Sequence, residues 1–146
     1  MIYLHATALL LSDRGLLIQG DSGTGKSTLA LALIRAAHLA GRFARLVGDD
    51  QVEAHARNDR LVVAAPAAIA GMVEVHGLAP TPIVHEARGV IDLVIRLVDP
   101  PQAPRFQDLA EIFIEECRLP AVDLPARNAD AAIAIIHAQL GFEPFA

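Results

Sequence analysis

Leu16-Leu17-Ile18-Gln19-Gly20-Asp21-Ser22-Gly23-Thr24-Gly25-Lys26-Ser27 decides the fold. An apolar run enters a glycine-rich turn of the form G-x-x-x-x-G-K-[ST], and an amphipathic pattern leaves it. Leu16 to Gln19 reads as a strand. Leu29, Leu33, Ala36 and Ala37 recur at helical spacing, which predicts a helix from about Lys26 to Ala40, ended by Gly41. Gly20, Gly23 and Gly25 permit backbone conformations that other residues resist, so successive N–H groups can turn inward. Those groups and the helix N-terminus form an anion site. Lys26 would neutralise terminal phosphates and Ser27 would offer its hydroxyl to Mg²⁺. The stretch from Gly20 through Thr28 is therefore read as a nucleotide or polyphosphate site.

Composition narrows the classes further. A length of 146 residues favours one domain, residues 1–146. Hydrophobic residues make up 53% and charged residues 20%, which supplies a core and excludes a disordered chain. A formal net charge of −5 gives no basic footprint for nucleic acid. No apolar run is long enough for membrane insertion. The start, Met1-Ile2-Tyr3-Leu4-His5, lacks the marks of a signal peptide. The single Cys117 cannot form an internal disulfide, and together these features point to the cytoplasm. Eleven arginines stand against one lysine, Lys26. The site that keeps Lys is the one where a compact ammonium must fit inside a backbone loop, which a planar guanidinium cannot do.

Along the rest of the chain, Ala6 to Leu11 reads as a strand and Ser12 to Gly15 as a turn. Phe43 to Val47 is a short strand running into Gly48-Asp49-Asp50. Gln51 to Ala56 and Leu61 to Ala64 form a hairpin around Asn58-Asp59. Met72 to Val75 fits a short strand or a turn of helix. In Val90 to Val98, Ile91, Leu93, Ile95 and Leu97 face one way and Asp92 and Arg96 the other, as in a half-buried strand. Glu111 to Glu115 is a further strand candidate, and Asn128 a cap for a final helix with Ile133, Ile136 and Leu140 on one face. Strands outnumber helices and the turns are short. The expected class is α/β, a phosphate-loop domain with a mixed sheet.

Asp49 and Asp50 close an apolar strand 23 residues beyond Lys26. That interval holds one helix and one strand, so the acidic strand directly follows the loop helix. This spacing and the short chain argue against a large motor or transporter ATPase. In phosphate-loop proteins an acidic residue at this place holds Mg²⁺ or its waters. Two adjacent carboxylates allow one to orient metal and the other to take a proton. Glu74, between apolar neighbours, suits a solvent-facing strand position or a metal ligand. Arg105 and Arg127 lie in Pro-flanked loops, and either could stabilise a transferring phosphate.

These residues match a known pattern. Ile18 to Ser27, Leu46-Val47-Gly48-Asp49-Asp50, Ala64-Ala65-Pro66, Val73-Glu74-Val75-His76-Gly77-Leu78 and Leu124-Pro125-Ala126-Arg127-Asn128 resemble the C-terminal catalytic domain of HPr kinase/phosphorylase. His5 stands at the family's spacing upstream of the loop lysine. The resemblance covers most of the chain. It implies a fold similar to the nucleotide domain of phosphoenolpyruvate carboxykinase. It also implies an ATP- and Mg²⁺-dependent protein serine kinase acting on the small phosphocarrier HPr, with a reverse reaction that uses inorganic phosphate and releases pyrophosphate. A homo-oligomer, usually a hexamer, is implied as well.

Carried over by position, Asp50 looks like the proton acceptor, supported by Asp49 and His5. Lys26 would hold the β-phosphate and the transferring phosphate. Ser27 and Glu74 would bind Mg²⁺, and Arg105 would take the family's transition-state position. The chain begins just before His5, like the short alphaproteobacterial members without an N-terminal domain. It departs from the family's Glu-x-Arg-Gly-Leu-Gly, with His76 for the arginine and Ala79 for the last glycine, and has Thr28 where Glu is common. Two other readings of the loop remain: a nucleotide-sensing regulatory module without transfer, and a small-molecule kinase.

Overall fold

The structure, a computed structural model, describes residues 1–145. Twelve strands and two helices follow in chain order. They are β1 (Ile2–Leu4), β2 (Ala6–Leu11), β3 (Arg14–Gln19), α1 (Lys26–Leu39), β4 (Ala44–Gly48), β5 (Val52–Arg57), β6 (Arg60–Ala64), β7 (Met72–Val73), β8 (Thr81–Pro82), β9 (Gly89–Ile91), β10 (Leu93–Val98), β11 (Ala110–Ile114), β12 (Cys117–Pro125) and α2 (Ala129–Leu140).

A six-stranded sheet in the order β11-β12-β10-β3-β2-β4 forms the middle layer. Its β12, β10 and β3 run parallel, while β2, β4 and β11 join antiparallel, so the sheet is mixed as expected. Alternation along each strand sends side chains to opposite faces. Leu9, Leu11, Leu16, Ile18, Leu93 and Ile95 meet Leu29, Leu33 and Ile34 of α1 on one face. Each such buried side chain contributes about 1.5–3 kcal/mol relative to exposure. Ala6, Ala8, Leu17 and Val94 face the other way, onto Val52, Ala54, Leu61 and Val63 of a second sheet, β1-β5-β6-β9. The result is helix, sheet and sheet in three layers. No helix among the described residues is long and apolar enough to cross a membrane.

The stretch Val90 to Val98 departs from the expected single half-buried strand. It breaks at Asp92 into β9 in the small sheet and β10 in the large one. Ile91 therefore belongs to a different core from Leu93, Ile95 and Leu97, and Val94 is fully buried on the opposite face. Asp92 fastens the corner. Its N–H donates to the Gly15 carbonyl (2.7 Å), and its carboxylate accepts from Gly15 N–H (2.9 Å) and Arg60 Nη2 (3.0 Å). A Cβ on Gly15 would lie 1.8 Å from the Val90 carbonyl oxygen, so only glycine lets the two sheets cross there.

Local signals held elsewhere. Asn58 and Asp59 both have positive φ (50° and 63°), as a two-residue hairpin requires, and join β5 to β6. Asn128 Oδ1 accepts from Ala131 N–H (3.2 Å) and caps α2. Met72–Val73 resolves as strand, paired with Thr81–Pro82.

Candidate active site

Parallel and antiparallel pairing brings four chain segments to one edge of the large sheet. The ends of β3, β4 and β12 arrive there together with the start of β2, opposite Gln19 in register. The carboxyl edge of an open α/β sheet is where ligands bind in such folds. The glycine-rich loop connects β3 to α1 at this edge. Gly23 and Gly25 take φ values of 82° and 93°. The Asp21 carbonyl accepts from Thr24 Oγ1 (2.7 Å) and Thr24 N–H (3.2 Å). On the far side, Arg127 N–H donates to the Thr24 carbonyl (3.0 Å), so the end of β12 holds the loop in place.

Lys26 lies under the loop, its side chain 5% exposed. Its Nζ donates to the carbonyls of Gly20 (2.9 Å) and Asp21 (3.3 Å) and stands 3.9 Å from Asp50 Oδ1. A buried ammonium is tolerable only with such partners. The carbonyls of Gly20 and Asp21, both in the expected phosphate-binding stretch, are thus the acceptors that hold the Lys26 ammonium. Ser22 through Thr28 line the adjoining cavity.

The two aspartates live in opposite surroundings. Asp49 is 6% exposed and accepts three hydrogen bonds. Ser27 Oγ donates to Oδ1 (2.5 Å), Thr7 Oγ1 also donates to Oδ1 (3.0 Å), and Glu74 N–H donates to Oδ2 (2.9 Å). Asp50 is 62% exposed and accepts from His5 Nε2 (2.8 Å). One carboxylate is fixed inside and the other is presented to a visitor.

A cavity of about 650 Å³ opens over the loop, within the range of small-ligand sites. One wall is the loop with Asp50, Glu74 and His76, and the other is Leu97, Pro125, Arg127, Asn128, Ala129 and Ala132. A second cleft of about 330 Å³ is lined by Tyr3, Leu4, His5, Asp50 and Gln51. Asp50 lines both.

The two arginines named from the sequence lie in different places. Arg105 is exposed, its guanidinium 5.5 Å from the Phe106 ring centre, and it does not line the cavity. Arg127 does, with Nη1 donating to the Gly23 carbonyl (3.4 Å). Of the two arginines named from the sequence, Arg127 borders this cavity and Arg105 does not. Thr7, inside an apolar strand, carried no sequence signal at all.

The oxygen donors suit Mg²⁺. The Ser27 hydroxyl and the Asp49 carboxylate are in contact, and the Glu74 side chain borders the cavity. Mg²⁺ takes one or two carboxylates together with substrate phosphates, so it needs no cage of protein ligands. Among the described residues no three His, Cys, Asp or Glu side chains form one.

Fold and site together define an α/β domain with a mixed sheet, a glycine-rich loop and an acidic pair set beside that loop. Residues 1–140 match the family profile described as HPr Serine kinase C-terminal domain, and the chain belongs to that family. It is 31% identical over 129 residues to the HPr kinase/phosphorylase of Clostridium tetani, covering 86% of this chain and 40% of that protein. It is 28% identical over 152 residues to that of Latilactobacillus sakei, covering 95% and 47%. The chain thus spans less than half the length of these curated relatives. The solved HPr(Ser) kinase/phosphatase of Coxiella burnetii superposes with a TM-score of 0.79 at 24% identity, over 96% of this chain and 88% of that one, and shares the fold.

Proposed function

We propose that this chain transfers the γ-phosphoryl group of ATP to a serine of an HPr-like phosphocarrier protein. The observation that carries the proposal is the place of Asp50 between two openings. The nucleotide cavity lies on one side and a separate cleft with His5 on the other, so a serine entering the cleft reaches the carboxylate without crossing the nucleotide. The serine oxygen attacks the γ-phosphorus as the bond to the β-bridging oxygen breaks, and ADP leaves. The serine proton passes to Asp50, whose carboxylate His5 orients.

Lys26 and the loop N–H groups neutralise charge on the phosphates and fix their line of attack. Ser27 and Glu74 would hold Mg²⁺, with Asp49 restraining Ser27. When bound, Mg²⁺ supplies charge neutralisation on the phosphate oxygens. Arg127 is the guanidinium nearest the loop and adds positive charge from the cavity wall. General-base help of this kind is worth on the order of 10²–10⁴ in rate.

The test incubates the protein with γ-labelled ATP and a panel of HPr-like carriers. Label on a carrier serine is the expected result, lost in Asp50→Asn while nucleotide binding persists. Label on a small molecule, or nucleotide binding with no transfer, overturns the proposal. Adding phosphorylated carrier and inorganic phosphate reads the reverse reaction through pyrophosphate release.

A further inference from the structure

Thr7 is fully buried on β2, among Ala6, Ala8, Leu9 and Leu11. A hydroxyl in such company is costly unless it is paired. It has two partners, and both are the acidic pair. Thr7 Oγ1 donates to Asp49 Oδ1 (3.0 Å) and accepts from Asp50 N–H (3.2 Å). The direction is fixed, because the carboxylate can only accept and the amide can only donate.

The backbone at Asp50 explains why such a bridge is needed. Asp50 has φ of 65°, and Gln51 N–H donates to the Asp49 carbonyl (2.7 Å) across it. A three-residue turn with positive φ at its centre is the rarer and strained γ-turn form. The pairing of β2 with β4 also shifts register between Ala8 and Leu9, just before this turn. Irregularities of that kind re-aim a side chain. Thr7 shares a strand face with Leu9 and Leu11, so its hydroxyl points to the side of the sheet that carries the loop helix.

We infer that Thr7 is a positioning residue: its hydroxyl clamps the strained turn that aims Asp50 and at the same time holds Asp49 against Ser27. The inference rests on the phosphoryl-transfer reading for its kinetic meaning, and on the geometry alone for the turn. Valine matches threonine in shape and removes both bonds, whereas serine keeps both.

The test compares Thr7→Val and Thr7→Ser. Misplacement of a reacting group by about 1 Å costs on the order of 10²-fold, so Thr7→Val should lower kcat by about that factor while the KM for nucleotide stays within about threefold. Thr7→Ser should recover most of the loss. In an Asp50→Asn background Thr7→Val should add much less than its full loss, keeping only the part that acts through Asp49 and Ser27. Amide hydrogen exchange at Asp50 should rise at least about tenfold in Thr7→Val and stay near wild type in Thr7→Ser.

Wild-type kcat in Thr7→Val, a change in KM alone, equal damage in Thr7→Ser, or full additivity with Asp50→Asn each overturns the inference. If the wild-type protein phosphorylates no carrier, the proposed function fails by itself. The exchange measurement then decides the clamp: unchanged exchange at Asp50 in Thr7→Val overturns it.

Discussion

Replacing Asp49 and Asp50 by asparagine, one at a time, should separate two adjacent carboxylates by what each is for. Asp49 is 6% exposed and accepts from Ser27, Thr7 and Glu74. An asparagine amide keeps one oxygen and turns the other acceptor into a donor. The two hydroxyls on Oδ1 can stay, but Glu74 N–H then faces an NH₂ group. One hydrogen bond to a charged group, about 1.5–3 kcal/mol, is lost, and relief of a buried charge returns part of it. A net loss of about 2 kcal/mol lowers Tm by roughly 4–8 °C for a chain of this size. Asp50 is 62% exposed, and its pair with His5 is a surface pair worth about 0–1 kcal/mol. Asp50→Asn should therefore move Tm by about 4 °C or less while transfer falls by the 10²–10⁴ of a missing base. Circular dichroism melts of both variants, run beside nucleotide titrations and transfer assays, read all the terms. Equal Tm losses, or an Asp50→Asn protein less stable than Asp49→Asn, would refute the division of roles.

Further outcomes follow from the same contacts. Lys26→Ala should weaken nucleotide binding by at least about 100-fold in calorimetry, and Lys26→Arg should not restore it, because a planar fork does not fit under the loop. Arg127→Ala should weaken nucleotide binding by about tenfold, whereas Arg105→Ala should leave it unchanged, both read by the same titration. Gly15→Ala puts a methyl against the Val90 carbonyl and should cost more than about 3 kcal/mol in denaturant unfolding, while Gly41→Ala, in open space at φ 73°, should cost about 1–2 kcal/mol. Burial, then the Arg42 charge, pulls the His137 pKa below its ordinary value, so its neutral form belongs to the folded state. Its contribution is complete above the unfolded pKa of about 6.5 and is lost as pH falls through the lower folded value, so His137→Gln should flatten the acid limb of a stability–pH curve.

The elements legible in the sequence are those whose causes are local. The loop, α1, the Asn58-Asp59 hairpin and the Asn128 cap each follow from a few neighbouring residues. β12 was not legible, because Pro120 and Pro125 mark it as broken chain. In the sheet, Pro120 falls one residue before the parallel pairing with β10 begins at Ala121, and Pro125 closes it at Val98. The prolines bracket the pairing with β10, while Pro120 sits inside the pairing with the edge strand β11, opposite Glu111. The alternation in Val90 to Val98 misled for a different reason. Asp92 looks like an outward-facing polar residue, but its partner Gly15 lies 77 positions away, and no window on the sequence contains both.

The site divides along the same line. Lys26 and Ser27 are legible because the loop motif is short, and Asp49-Asp50 because it ends an apolar strand near that loop. The choice between Arg105 and Arg127 depends on strand direction. β12 runs parallel to β10, which runs parallel to β3, so the residue just past β12 arrives beside the loop that follows β3. Arg105 follows β10 but lies in the long connection toward the edge strand β11, and that connection carries it away. Thr7 depends on sheet order as well. Only because β2 lies between β3 and β4 does a threonine two residues after His5 touch both aspartates. The chemistry-bearing residues are announced by type and spacing. The residues that aim them are set by which strands become neighbours, and a buried threonine in an apolar run gives no sign of that until the sheet is assembled.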